Sequence, residues 1–226
     1  GAHMQIAPLL HVGRGVTAII GGGGKTTLME TLAGELSKKG RVIITTSTHI
    51  RRPEWYETLL DADEAAVSAA LRRSSIVCVG EEAEDGKLCA PKLGFETLAQ
   101  LADHVLVEAD GSKGLPLKAH ASHEPVIPAE AQRVILIVGI DGVGKRISET
   151  CHRSALYAQL ALADEKALVT PQLAARVINA EGYGDRVYIN KVESAADYEA
   201  AQAMAKEFSC PVIAGSLHQG VYVCLH

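Results

Sequence analysis

The feature that most constrains the fold is a series of short, continuously apolar segments rich in valine and isoleucine, separated by stretches with helical patterning. Such segments predict strands that are buried on both faces, as in a parallel sheet covered by helices. The predicted strands are 16–20, 42–46, 76–79, 105–109, 134–138, 187–189 and 212–214. The predicted helices are 27–38, 154–162, 172–179 and 195–208. This alternation predicts an α/β protein with three layers and a mainly parallel sheet.

The length of 226 residues favours one domain, which we place at 5–226. The first four residues, Gly-Ala-His-Met, are interpreted as an expression scar that ends at the native start methionine. Segment 81–91 breaks the alternation of strands and helices, and its Asp85-Gly86 pair is a turn signal. We therefore expect a small β-hairpin or a lid there.

Composition excludes several classes of protein. The formal net charge is -5, with acids and bases interspersed, which is unlike the basic surface of a nucleic-acid-binding protein. No basic segment leads into a long apolar one, so we expect neither a signal peptide nor a membrane span. The five cysteines are scattered and contain no C-x-x-C, which predicts reduced thiols in the cytoplasm rather than disulfides or a zinc site.

The segment after the first predicted strand carries the features of a phosphate-binding loop. Its glycines bring backbone N–H groups close to phosphate, its lysine reaches the terminal phosphates, and the next hydroxyl binds Mg²⁺. The spelling G-x-x-G-K-T is two residues shorter than the common P-loop. It predicts a P-loop NTPase-like fold that binds GTP or ATP. The predicted nucleotide-binding residues here are Gly21, Gly22, Gly23, Gly24, Lys25, Thr26 and Thr27.

A second glycine-containing loop, 139–146, matches the longer P-loop spelling up to its lysine. Arg146 stands where a serine or threonine should bind Mg²⁺, and no strongly apolar helix follows. We therefore interpret it as a turn rather than a phosphate site.

The strand 105–109 ends in two carboxylates, Glu108 and Asp110. Alternation along a strand places both on the same side, at the edge of the sheet where ligands bind in open α/β folds. One carboxylate would hold Mg²⁺ together with Thr26, and the other would position the attacking group. The sequence leaves open which carboxylate has which role.

The strand 187–189 runs into Asn190-Lys191-Val192-Glu193, which is similar to the N-K-x-D motif of GTP-binding proteins. A carboxylate there accepts hydrogen bonds from guanine, and Glu193 offers the same chemistry on a longer side chain. Asn190, Lys191 and Glu193 are therefore predicted to contact the nucleotide base. The alternative is a strand followed by an ordinary helix start, with Glu193 or Ser194 near the N-cap.

Further polar residues lie in predicted loops. Arg153 opens a predicted helix and is a candidate to bind phosphate during catalysis, although an exposed helix-start arginine is an equal alternative. His120, His123 and Glu124 form a His-x-x-His-Glu pattern that is not on a predicted helix, unlike zinc-protease motifs, so we favour a substrate-facing or structural role. The predicted substrate-contacting residues are Thr48, His49, Lys118, His120 and His123.

Taken in order, several blocks of the sequence resemble the YqeC family, which is described as accessory to selenium-dependent molybdenum hydroxylases. The blocks are GGGGKTT, ITTSTHI, VEADGSKGLPLKAHASHEPVIP, VGIDGVGK, CHR, TPQLAARVI and INKVE. The resemblance implies that 21–27 is the nucleotide loop and that Glu108, Asp110 and Lys118 lie in the functional cleft. It also implies a role in maturing the molybdenum cofactor or inserting selenium, with a hydroxylase or a cofactor-maturation protein as partner.

Three functions fit these features. The first is an Mg²⁺-dependent NTPase that assists metalloenzyme maturation, in which Lys25, Glu108, Asp110 and Arg153 are catalytic. The second is a transferase that passes a phosphoryl or nucleotidyl group to a cofactor precursor. The third is a non-catalytic protein whose docking depends on the bound nucleotide.

Overall fold

The strands of the protein are short and lie mostly in one sheet. We describe a computed structural model, in which residues 4–111 and 113–226 are described. In this part of the chain the strands are β1 (Gly15–Gly21), β2 (Val42–Thr46), β3 (His49–Arg51), β4 (Glu57–Leu60), β5 (Ile76–Glu82), β6 (Lys87–Cys89), β7 (His104–Glu108), β8 (Leu117–Lys118), β9 (Ala131–Gly139), β10 (Cys151–His152), β11 (Arg186–Asn190), β12 (Val212–Ser216) and β13 (Val221–Cys224). The α-helices are α1 (Lys25–Leu36), α2 (Glu64–Arg73), α3 (Phe95–Leu101), α4 (Ile147–Thr150), α5 (Ser154–Ala161), α6 (Pro171–Glu181) and α7 (Ala195–Ala205).

The large sheet has the strand order β13-β12-β11-β9-β1-β7-β2-β5-β6-β3, and β4 also pairs with β5. Its centre, from β12 to β5, is parallel, while β13, β6 and β3 pair antiparallel at the two ends. A parallel sheet requires crossover connections, and these place helices on its faces. β1, which precedes the glycine loop, therefore lies in the middle of the sheet, with β7 and β9 as its neighbours.

Alternate residues of the central strands pack into cores on opposite faces of the sheet. Ala18 and Ile20 of β1 contribute to a core with α5, α6 and α7, while Val16 on the same face packs in the core of α2 and α3. Ile19 points to the other face, where α1 and residues 6–12 cover the sheet. Helices on both faces of a mainly parallel sheet make a three-layer α/β fold, which confirms the fold class predicted from the sequence.

The sequence predictions for the strands are confirmed to within a few residues, because most of them were continuous apolar runs. The predicted hairpin in 81–91 is also confirmed: Glu81 and Glu82 pair antiparallel with Cys89 and Leu88. Helix α1 begins at Lys25 rather than at the predicted residue 27, and it ends at Leu36. The short strands β3, β4, β8, β10 and β13 and the helices α2, α3 and α4 were not predicted.

The second glycine-containing loop leads to different structure. After β9 the chain forms a 3-10 turn at Ile140–Gly142 and then the four-residue helix α4. This arrangement agrees with its interpretation as a turn, because no long helix presents its N-terminus to the loop.

Helix α1 begins without a side-chain cap, as do α3, α4 and α5. The side chains of Asp63, Thr170 and Ser194 cap α2, α6 and α7 by accepting a hydrogen bond from a backbone N–H of the first turn. The residue before α1 is Gly24, which has no side chain to do this. The N-terminus of α1 is therefore left open at the carboxyl edge of the sheet. Among the described residues, no helix is long and apolar enough to cross a membrane.

We expect Gly21→Ala to lower the free energy of unfolding by about 2 kcal/mol or more. Gly21 has φ of 108°, and an added Cβ would lie 2.2 Å from the carbonyl oxygen of Ile137 in β9. The matched control is Gly34→Ala within α1, where an added Cβ meets nothing within 4 Å. That variant should gain about 0.5–1 kcal/mol from helix propensity. Urea unfolding measures both, and equal effects of the two variants would contradict the structure.

Candidate functional site

The glycine loop presents a row of backbone donors at the start of α1. The N–H of Gly21 donates to Asp110 Oδ2 at 2.8 Å, and the N–H of Gly22 donates to the carbonyl of Ile137 at 3.0 Å. Within the described part of the chain, the N–H groups of residues 23–27 have no hydrogen-bond partner. Such a row at a helix N-terminus carries a partial positive charge and is suited to bind an anion.

Lys25 lies at the first position of α1 and is only 4% exposed. Its Nζ donates to the carbonyl of Asp110 at 2.7 Å, forms an ion pair with Glu108 at 3.1 Å, and forms a second ion pair with the Asp110 carboxylate. Both carboxylates at the end of β7 therefore reach the same ammonium group. Their predicted position on one side of the strand accounts for this contact.

The two carboxylates nevertheless have different environments. Asp110 is 0% exposed, and its oxygens face Lys25, the N–H of Gly21 and the ring of His120. Glu108 is 8% exposed and lines an open cleft beside the glycine loop. The geometry thus distinguishes two groups that the sequence could not: Glu108 is accessible from the cleft and Asp110 lies behind it.

The proton affinities of these carboxyls are shifted in opposite directions. Burial raises the pKa of Glu108, and the charge of Lys25 only partly compensates. Burial would also raise the pKa of Asp110, but the hydrogen bond to His120 and the charges of Lys25 and Lys118 outweigh it and lower that pKa. Asp110 is therefore held in its charged form, while Glu108 takes up a proton more readily.

His120 links the strand-end acids to a distant helix. Its Nε2 lies 2.6 Å from Asp110 Oδ2, and its Nδ1 lies 2.9 Å from Glu181 Oε1 at the end of α6. Burial opposes protonation of the ring, but the hydrogen bonds to Asp110 and Glu181 outweigh it and raise the pKa of His120. A protonated ring would donate to both carboxylates.

A further group of ion pairs connects Asp110 to the wall of the cleft. Lys118 is buried, with its Nζ 3.0 Å from Glu124 and 3.6 Å from Asp110. Glu124 also accepts from Arg153 at 2.5 Å and from the N–H of Gly111 at 3.1 Å. Burial would raise the pKa of Glu124, but Lys118, the Gly111 N–H and Arg153 lower it. Arg153 itself lines the cleft, and this network connects it to Asp110 at the end of β7.

The residues predicted to contact a base lie on the other side of the glycine loop. Asn190 donates to the carbonyl of Gly23 at 2.9 Å and accepts from the N–H of Leu217 at 3.1 Å, so it ties the loop to the end of β12. Glu193 is exposed and accepts from the Ser216 hydroxyl at 2.6 Å, while Lys191 pairs with Asp141 at 3.4 Å. Ser194, rather than Glu193, caps the next helix.

The cleft beside Lys25 has a volume of about 1150 Å³. Its floor includes Lys25, Thr26 and Glu108, and one wall is the antiparallel pair β3 and β6. Thr26 is exposed there, and its hydroxyl has no hydrogen-bond partner among the described residues. This hydroxyl is available to a ligand or a cation.

The structure distributes the remaining predicted site residues between the cleft and its surroundings. His49 lines the cleft from β3, whereas Thr48 and His123 are not among its lining residues. Lys118 and His120 are buried in the ion-pair network, where they contact Asp110, Glu124 and Glu181, and neither is among the lining residues of the cleft.

The structure adds residues that sequence reasoning missed. Glu181 has no local signal, because it ends an ordinary amphipathic helix and meets His120 across 61 residues. Glu124 belongs to the His-x-x-His-Glu pattern described above, but the sequence does not show that it lies beside the buried Lys118. Trp55 also lines the cleft, and the sequence marked it only as the one tryptophan of the chain.

Neither a transition-metal cluster nor a reactive thiol stands out in this region. In the described ranges, no three histidine, cysteine, aspartate or glutamate side chains are arranged to hold a metal ion. All five cysteines are free, and burial raises the pKa of the Cys78 and Cys151 thiols to about 12. These two thiols are therefore not thiolates near neutral pH.

Comparison with known proteins identifies the family. A family model described as YqeC protein matches residues 17–155. The chain is also 34% identical over 177 residues to the Escherichia coli K12 protein described as "Uncharacterized protein YqeC", with 74% of this chain and 69% of that relative covered. The chain belongs to the YqeC family. The YqeC model spans the glycine loop, the acids after β7 and the ion pairs up to Arg153, but it ends before Asn190 and Glu193.

We expect the stability that His120 contributes to depend on pH. With a raised pKa in the folded state, the contribution is complete below the unfolded pKa of 6.5 and is lost as pH rises through the folded pKa. His120→Gln should therefore cost about 2 kcal/mol at pH 6 and progressively less at alkaline pH. Urea unfolding between pH 5.5 and 9, without nucleotide or divalent metal, measures this difference.

The control for this prediction is His218→Gln, which removes an exposed histidine. Its effect on the free energy of unfolding should be small, because the side chain is exposed. A His120→Gln difference that grows as pH rises would contradict the ion pairs with Asp110 and Glu181.

Proposed function

We propose that this protein binds a nucleoside triphosphate with Mg²⁺ at the glycine loop and hydrolyses its terminal phosphate. The observation that carries the proposal is the row of unpartnered N–H groups at residues 23–27, directly beside Lys25. Backbone donors, a helix N-terminus and a lysine are the groups that bind the β- and γ-phosphates in P-loop proteins. On binding, the Lys25 ammonium exchanges part of its contact with Glu108 and Asp110 for contact with phosphate oxygens.

The residues present fit a Mg²⁺ ion. Thr26 offers a free hydroxyl and Glu108 a carboxylate, and both line the same cleft. Mg²⁺ prefers such oxygen ligands together with phosphate oxygens and water. When bound, the ion supplies positive charge that stabilises the phosphates during transfer. Asp110 is enclosed by protein donors, so we assign it to positioning Lys25 rather than to the metal.

The chemistry requires positioning and charge more than covalent participation of the protein. A water oxygen forms a bond to the γ-phosphorus, and the bond from that phosphorus to the β–γ bridging oxygen breaks. The electron pair leaves with the diphosphate, one water proton remains on the inorganic phosphate, and the other passes to solvent. Lys25 and the N–H groups of the loop stabilise the charge on the phosphates, and Arg153 reaches them from the cleft wall.

A matched pair of variants tests the metal assignment. Thr26→Ala should abolish the dependence of nucleotide binding on Mg²⁺, whereas Thr31→Ala, one turn later on α1, should leave it unchanged. Glu108→Gln should retain nucleotide binding and lose about 100-fold in turnover, the size typical of removing one electrostatic contact. Calorimetric titration and phosphate release measure these effects. Wild-type turnover in Glu108→Gln would refute the assignment.

The base site favours guanine. The Ser216 hydroxyl holds one oxygen of Glu193, which leaves the other oxygen as an acceptor for guanine N–H groups. Asn190 joins the neighbouring strand end to the glycine loop, so the base site and the phosphate site are positioned together.

We expect Glu193→Ala to lower GTP affinity about tenfold while ATP affinity stays within twofold, because one charge-assisted contact is lost. The control is Glu199→Ala, which removes an exposed carboxylate on α7 and should change neither affinity. Titrations of GTP, ATP and CTP, with and without Mg²⁺, provide the measurement. Equal affinities for the three nucleotides in the wild-type protein would contradict guanine selection.

The physiological role that we propose rests on what the resemblance to the YqeC family implies. The nucleotide cycle would assist the maturation of a selenium-dependent molybdenum hydroxylase, by molybdenum-cofactor maturation or selenium insertion. A test is whether the hydroxylase or a cofactor-maturation protein co-purifies with this protein in GTP but not in GDP.

A phosphoryl or nucleotidyl transferase is the second candidate, since the cleft beside Lys25 has room for an acceptor. Rapid turnover without any acceptor would favour the hydrolase over the transferase. Nucleotide-dependent association with no turnover at all would instead favour a docking protein.

A further inference from the structure

The cleft extends well beyond the residues that a nucleotide would occupy. The strand that carries Asn190, β11, lies beyond β9 on one side of β1 in the sheet order. The cleft wall formed by β3 and β6 lies beyond β7 and β2 on the opposite side. None of Asn190, Lys191 and Glu193 is among the residues that line the cleft. A nucleotide that extends from the glycine loop toward Glu193 therefore leaves most of the cleft empty.

The wall of the cleft carries two adjacent cations. Arg51 of β3 pairs directly with Lys87 of β6, while their neighbours Ile50 and Leu88 are buried and Ile50 also lines the cleft. Directly paired residues of antiparallel strands project on the same face, so both cations face the cleft, which they line. Like charges in this arrangement repel each other, and an anion bound between them would relieve the repulsion.

Neither cation is neutralised by the protein. Among the described residues, Arg51 and Lys87 form no ion pair. Acidic residues also line the cleft: Glu108 and Glu124 are paired with other cations, and Glu30, Glu54, Glu82, Glu84 and Asp85 form no ion pair with Arg51 or Lys87 among the described residues. The two cations are therefore available to an anionic group of a ligand.

An exposed aromatic ring lies in the same wall. Trp55 follows β3, is 80% exposed, and lines the cleft. A tryptophan that is exposed on a concave surface beside cations provides a flat face on which a ring can stack. The combination suits a ligand with a planar ring system and a negatively charged group.

We propose that this cleft binds a second ligand, an anionic small molecule with a flat aromatic ring system. The ring stacks on Trp55, and the charged group contacts Arg51 and Lys87. The ligand lies on the side of Lys25 and Glu108 that faces away from the base site. Its position next to the terminal phosphate rests on the proposed nucleotide function, whereas its binding to the wall does not. If the nucleotide donates a phosphoryl or nucleotidyl group, a ligand of this class is the acceptor.

Two flavin probes test the stacking of the ring and the contact of the charged group separately. Flavin mononucleotide carries a flat ring and a phosphate, and riboflavin carries the same ring without the phosphate. Their fluorescence is excited by visible light and is quenched when the ring stacks on an indole. We expect the wild-type protein to quench flavin mononucleotide and to bind it about tenfold more tightly than riboflavin, since a phosphate between two cations forms charge-assisted hydrogen bonds.

Three variants assign the binding to the wall. Trp55→Ala should remove the quenching and weaken the binding of both flavins about tenfold. Arg51→Ala combined with Lys87→Ala should abolish the preference for flavin mononucleotide and leave riboflavin unchanged. Lys38→Ala combined with Lys39→Ala removes two exposed cations at the far end of α1 and should preserve the preference. Circular dichroism checks that each variant is folded.

Several results would overturn the proposal: equal affinity for the two flavins, no quenching by the wild-type protein, or full quenching by Trp55→Ala. Loss of the preference in the Lys38 and Lys39 variant would also overturn it, because the effect would then be one of net charge. A GTP titration of the same samples separates the two proposals. GTP binding without flavin binding refutes only the second ligand, and flavin binding without GTP binding refutes only the nucleotide site.

Discussion

The ion pairs of Lys25 with Glu108 and Asp110 hold the centre of the candidate site together. A buried ammonium group is costly unless carboxylates compensate it, and buried carboxylates are equally costly without a cation. These contacts join the first turn of α1 to the end of β7, and the N–H of Gly21 joins Asp110 to the end of β1. The glycine loop, the acids and the cleft therefore have a defined arrangement before any ligand binds.

The ion pairs around Asp110 extend this compensation of buried charge beyond Lys25. Four buried or partly buried carboxylates and three basic side chains meet around Asp110, and protonation of the His120 ring would balance their charges. The carboxylates are Glu108, Asp110, Glu124 and Glu181, and the cations are Lys25, Lys118 and Arg153. This balance is the physical reason that the pKa of His120 is raised although the ring is buried. It also means that a change at Glu181 reaches the glycine loop through His120 and Asp110.

Much of the fold was accessible from the sequence because the central strands are continuous apolar runs, and only burial on both faces tolerates such runs. The glycine loop and the two acids were also accessible, since each is a local pattern at a strand end. The edge strand β3 was not predicted, and β6 was expected only as an arm of the 81–91 hairpin, because both strands are three residues long and expose charged side chains. Such strands exist only through pairing with each other and with β5, which local patterning does not contain.

By itself, the sequence determined the order of strands and helices, the open N-terminus of α1, and the presence of Glu108 and Asp110 on one side of β7. These properties depend on neighbouring residues and on the two-residue period of a strand. Only the tertiary structure decided that Glu108 faces the cleft while Asp110 lies behind it, and that Glu181 meets His120. It also placed Asn190 and Trp55 on opposite sides of the glycine loop. These relations depend on strand order and crossover packing, which join residues far apart in the chain.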